Sequence, residues 1–95
     1  MSETAETPQL PPADFAFFCY SLATQATVHL GASPNPVTGK TEQDLVQAKY
    51  SIDLLEMLKV KTEGNLTEDE QKIMMGLLYD LRMKYVEASQ KARTT

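Results

Sequence analysis

The sequence has no tryptophan, one cysteine, one histidine and four glycines in 95 residues. Cys19 alone closes no disulfide within the chain, and Cys19 with His29 falls short of the four ligands of a structural zinc site. Basic residues are missing from positions 1–39, where Glu3, Glu6 and Asp14 stand without a lysine or arginine, and the whole chain carries −4. Nucleic acid is therefore not an expected partner, because its backbone needs a clustered basic face. Long apolar runs are also missing. Residues 15–39 are free of charge, but Ser21, Thr24, Gln25, Thr27 and His29 interrupt them well short of the ~20 apolar residues of a membrane span, so no membrane partner is expected. The start, MSETAETPQLPP, has neither the basic opening nor the apolar stretch of a signal peptide, and the expected location is cytoplasmic.

What is present reads as helix. Alternating strand patterns are absent from the sequence, whereas Phe15, Phe18, Cys19, Leu22, Ala26, His29 and Leu30 recur at steps of three and four, the spacing of one helix face. Asp14 is placed to cap this first helix and Gly31 to stop it. Thr41 with Asp44 suggests a loose capping box for a second helix over about 42–62, striped by Leu45, Ala48, Ile52, Leu55 and Leu58. The third start is the clearest. In GNLTEDEQ, Gly64 stops one helix, Thr67 caps the next, Glu70 completes the box, and Glu68 and Asp69 sit at the positive end of the helix dipole. Ile73, Leu77, Leu78, Leu81, Tyr85 and Ala88 then form one face.

These signals predict an all-α fold: a compact three-helix bundle, or a helical hairpin plus one helix, with a single core, since a chain this short buries only about 60% of its unfolded surface. Residues 1–13, acidic and rich in proline and threonine, read as a disordered tail, residues 14–90 as one helical domain and 91–95 as a C-terminal tail.

The stretch LGASPNPVTGKT ends in a GKT that invites comparison with a phosphate-binding loop. Such a loop needs glycine, four residues, then Gly-Lys-Ser/Thr, after a strand. Gly31 instead lies eight positions before Gly39, with seven residues between, the position of the required glycine holds Pro34, which has no amide hydrogen, and the preceding element is a helix. The stretch reads as a rigid hinge. A milder expectation is an anion or partner site on Asn35, Pro36, Thr38, Gly39, Lys40 and Thr41, using the amides of Thr41, Glu42 and Gln43 at the start of the second helix.

Catalytic constellations are not apparent. Cys19 and His29 are ten residues apart on one helix, out of hydrogen-bond reach. Asp53, Glu56 and Glu63 alternate with Lys49 and Lys59 as a solvated face, and the Glu-x-x-His pairs of a di-metal bundle are missing. The expectation is no enzyme, no cofactor and no metal. Each helix does carry a second set of apolar residues, which is more than a small monomer needs. Candidate interface residues are Phe17, Tyr20, Tyr50, Leu54, Met75, Tyr79, Arg82 and Val86, and the expected partner is a second copy in a dimeric bundle, or another protein.

FAFFCYSLATQATVHLG, NPVTG, AKYSIDLLEMLKVKTEGNLTEDE and LLYDLRMKYVEA, taken together, resemble a family of small bacterial proteins catalogued as domain of unknown function 1844. The resemblance rests on NPxTG (Asn35, Pro36, Thr38, Gly39), GNLT (Gly64, Asn65, Leu66, Thr67) and DLRM (Asp80, Leu81, Arg82, Met83). Val60 departs from it, standing where a polar residue is expected. The resemblance implies a compact helical protein of the bacterial cytoplasm and implies no activity. The reading is thus a non-catalytic, self-associating interaction module, with a small-molecule or anion binder at the second helix start as the alternative.

Overall fold

The computed structural model describes residues 10–94. Most of the proposed tail, residues 1–9, lies outside them, while residues 10–14 are non-helical and exposed. Three helices follow: α1 (Phe15–His29), α2 (Leu45–Lys61) and α3 (Glu68–Thr94). No strand occurs among the described residues.

Local chemistry sets most of the ends. The Phe17 amide donates to the Asp14 carboxylate at 3.0 Å, so α1 starts where expected. At α3 the capping box is reciprocal: Glu70 N donates to Thr67 Oγ1 at 3.1 Å, and Thr67 N to Glu70 Oε1 at 2.9 Å. Gly31 follows α1 with φ +80°, a left-handed value that side-chain-bearing residues rarely adopt, and a Cβ there would also press on Gln43 Cβ at 3.3 Å.

The second helix starts later than expected. Thr41 does not cap it; Asp44 does, accepting from Gln47 N at 3.1 Å. The reason is a tie across the connection, Asp44 N to His29 O at 2.7 Å, which holds Asp44 in extended geometry at φ −140° and ψ 91°. Residues 41–43 therefore belong to the connection. At the other end α3 runs through Thr94, so positions 91–94 continue the helix and do not form a separate tail.

Each helix touches both others, α1 and α2 most extensively. The short turn 62–67 makes α2 and α3 antiparallel, and the Asp44–His29 tie does the same for α1 and α2. Along α1, Tyr20 shares a groove with Leu77 and Leu81, and Leu30 shares a recess with Ala88 and Lys91. Hence α1 and α3 run parallel. The core is Cys19, Leu22, Ala23, Ala26 and Leu30 from α1 and its end, Ala48, Ile52 and Leu55 from α2, and Met74, Leu78 and Leu81 from α3. Small side chains at Cys19, Ala23, Ala26, Ala48 and Ser51 are buried in the seams between the helices and allow close backbone approach.

Two core assignments shift. Phe18, expected on the core face, is 50% exposed, because the buried line of α1 runs through Cys19, Ala23 and Ala26 and leaves Phe18 about a quarter turn away. On α3 the centre is Met74, with Ile73 only half-buried.

Candidate functional site

The connection between α1 and α2 is a closed loop built by Asn35. Its side-chain Oδ1 accepts from Val37 N at 2.8 Å and Thr38 N at 3.4 Å, and its backbone oxygen accepts from Gly39 N at 2.7 Å. Lys40 N donates to Thr38 Oγ1, and Asn35 N donates to Lys40 O. Each residue of NPxTG thus has a physical job. Asn35 caps the turn, Pro36 supplies fixed φ at its first corner, Thr38 holds Lys40, and Gly39 takes φ +73°.

The amides from Val37 to Lys40 are all bonded inside the loop, so they are not offered outward to a phosphate. The anion expectation at Thr41, Glu42 and Gln43 also loses its basis, since those residues lie outside the helix. The actual helix start carries the Asp44 carboxylate, a negative charge where an anion would sit. What the loop does present is Val37, 90% exposed at its tip, a feature the turn signals did not reveal.

The eight candidate interface residues do not form one surface. Phe17 lies on the outward side of α1. Tyr20 borders the α1–α3 groove, beside Thr24, Leu77, Asp80 and Leu81. On the α2–α3 side, Met75 and Val60 line a recess of about 140 Å³ together with Leu66 and Met74. Arg82 forms an ion pair with Glu56 across that same side, and Tyr79 and Val86 follow Met75 by helical spacing. Tyr50 sits on the back of α2, opposite Leu55, while Leu54 is half-buried against the core.

A shallow groove of about 660 Å³ lies at the beginning of α1 between residues 10–13 and Phe15, Phe17, Phe18 and Ser21. Its walls are chiefly apolar and its one ionisable side chain, Asp14, is committed to the cap. Beyond the groove, α1 shows Phe17, Phe18 and Tyr20 each about half exposed. Between them lie hydroxyls already satisfied within the helix: Ser21 Oγ donates to Phe17 O at 3.0 Å, and Thr24 Oγ1 to Tyr20 O at 2.9 Å. Covering these groups therefore strands no donor.

Cys19 is buried, and burial, with the nearby Glu70 charge adding to it, raises its thiol above the ordinary value of 9.0. A raised thiol is a poor nucleophile at neutral pH. Among the described residues there is no cluster of three or more His, Cys, Asp or Glu able to hold a metal ion, and no helix long and apolar enough to cross a membrane.

The chain belongs to the family described as domain of unknown function (DUF1844), whose model matches residues 12–87. No curated protein and no solved structure matches it.

Proposed function

We propose that the chain is a non-catalytic interaction module that self-associates through the outward side of α1. One observation carries this reading: the fifteen residues of α1 include no Asp, Glu, Lys or Arg, yet Phe17, Phe18 and Tyr20 stand half exposed on it. Loss of charge together with aromatic enrichment is the composition of an interface centre, whereas apolar exposure alone is ordinary.

The magnitudes are compatible with reversible association. Half of an aromatic side chain is roughly 100 Å², so three on each of two copies bring about 600 Å², or about 15 kcal/mol at 25 cal/mol per Å². Association itself costs about 4–15 kcal/mol. The outcome therefore depends on how closely the hydroxyl-bearing middle of the helix can approach its partner.

Light scattering over a wide concentration range tests this. The expected mass is about twice the 10.6 kDa of the chain, falling toward one copy on dilution. Phe17→Glu and Tyr20→Lys should hold the chain as a monomer, and Tyr79→Lys on α3 should not. A monomer at every concentration overturns the proposal.

A further inference from the structure

We infer that the groove between α1 and α3 binds an amphiphilic cation, an ammonium or guanidinium group carried on an aliphatic stem. The groove measures about 250 Å³, with Tyr20, Thr24 and Thr27 on its α1 side and Leu77, Asp80 and Leu81 on its α3 side. Its chemistry is one-sided. Thr24 Oγ1 donates its proton to Tyr20 O at 2.9 Å and Thr27 Oγ1 to Ala23 O at 2.8 Å, so both hydroxyls have only lone pairs left to offer. Asp80, a carboxylate, accepts only. The hydroxyls of Tyr20 and Ser33 complete the polar set, and each can turn to accept as readily as to donate. Among the described residues that line this groove there is no lysine, arginine or histidine, whereas the recess at the α2–α3 turn holds Lys59 and the one beside Leu30 holds Lys84 and Lys91.

That asymmetry selects a ligand. An anion would meet Asp80 and find no cationic partner. A neutral polyol would bring acceptors as well as donors, and its acceptors would have only the Tyr20 and Ser33 protons to share. A primary ammonium carries donors and no acceptor, as does a guanidinium, so either matches this acceptor-rich lining. Tyr20, 50% exposed, brings an aromatic ring to the rim, which favours a cation. Ala23 and Leu81 are buried and Leu77 is half-buried, an apolar floor along which a short methylene stem would lie. Asp80 is not spent. Its Oδ2 meets Lys84 Nζ at 3.0 Å in an exposed pair, which contributes little, and its other oxygen makes no hydrogen bond or ion pair among the described residues. The chain's −4 charge acts in the same direction, raising the local concentration of cations.

This site goes beyond self-association and does not rest on it. Phe17 and Phe18 do not line the groove, and its acceptors and floor come from one chain. A dimer contact centred on Phe17 stands or fails without it. In so open a groove a ligand of about six heavy atoms binds with a dissociation constant on the order of a millimolar. The shared chemistry has two sources, a free amine and the lysine or arginine side chain of a polypeptide.

Titration of the full, isotope-labelled chain with pentylammonium chloride, followed by amide chemical shifts, tests the assignment, with ammonium chloride as the background for simple screening. Saturable shifts grouped at residues 20–27 and 77–81 are expected, half complete at about a millimolar. Pentanol, which keeps the stem and drops the charge, and pentanoate, which reverses it, should each bind about tenfold more weakly. Asp80→Asn should weaken pentylammonium binding about fivefold. Asp53→Asn on α2, an equal change in charge at another exposed ion pair, should leave it as it was. A lysine blocked at both its amino and carboxyl ends separates the sources. Binding as tight as that of pentylammonium assigns the groove to a polypeptide side chain, and weaker binding assigns it to a free amine; the cation chemistry stands in either case. Pentanol binding as well as pentylammonium, equal losses from Asp53→Asn and Asp80→Asn, or no shifts at about ten times the expected constant overturns the inference.

Discussion

Helices α1 and α3 lie side by side and run the same way, yet they treat water in opposite ways. In its 27 residues α3 carries five acidic and five basic side chains, and its exposed apolar residues are interleaved with them. Lys72 precedes Met75 by one turn, Asp80 follows Tyr79, and Arg82 and Lys84 flank Met83. Removing water from that surface would strip charged groups of hydration, several of them already paired, such as Lys84 with Asp80 at 3.0 Å. Within α1 itself the neighbours of Phe17 and Tyr20 are alanines and self-bonded hydroxyls, with Asp14 of the cap beside Phe17 and Asp80 of α3 in the groove beside Tyr20. The lesson is that exposed apolar area does not by itself mark a contact surface; the cost of drying its neighbours decides.

The inward sides of the two helices differ as well, and the largest effects should come from there. Leu78 on α3 is 1% exposed and Ala26 on α1 is fully buried. Leu78→Ala should lower stability by about 2–5 kcal/mol through a cavity. Ala26→Leu should cost about 1–3 kcal/mol through overpacking at the fully buried seam of α1 with its neighbours. Urea unfolding measures both, and an Ala26→Leu variant as stable as wild type would mean that the seam is not closely packed. Cys19 reports on the same seam. Its thiol should resist a maleimide at pH 8 until the chain unfolds. Because its folded pKa is raised, the linked stability is fully present below 9.0 and is lost as pH rises from there through the folded value.

A step down in size are the caps, which begin the two helices by different devices. Asp14 on α1 acts alone, while Thr67 and Glu70 on α3 satisfy each other. Asp14→Ala and Thr67→Ala should each cost about 1 kcal/mol. Glu70→Ala should add a smaller loss at α3 that has no counterpart at α1, read as a shift in the urea midpoint at constant slope.

These caps were the most legible part of the sequence, because a cap is a short-range hydrogen bond between residues three apart. Gly31 and Gly64 were legible for the same reason, each taking the positive φ that ends a helix. The start of α2 was not, since Asp44 competes with Thr41 and the contest is settled by His29 O, a partner fifteen residues away. The phase of the core was half legible. Periodicity found the right faces but placed Phe18 inside, because the choice between Phe18 and the Cys19–Ala23–Ala26 line depends on how closely α2 approaches. Phe17 and Tyr20 could be recognised as surplus from α1 alone. Their separation from Met75, Tyr79 and Arg82 could not, as it follows from α3 sitting between two neighbours.

The smallest effect sharpens the comparison most directly. The Glu56–Arg82 pair joins α2 to α3 with both side chains about half exposed, and pairs in such positions contribute about 0.2–1 kcal/mol. Arg82→Ala should therefore lower stability by under about 1 kcal/mol, a difference that added salt diminishes, and should leave the solution mass unchanged. Arginine beside aromatics is itself a frequent interface composition, which makes Arg82 the natural rival to Phe17. If Arg82→Ala dissociates the assembly while Phe17→Glu does not, the contact lies on the charged flank of α3. Drying charged neighbours would then be tolerated there, because the pair travels into the interface already neutralised.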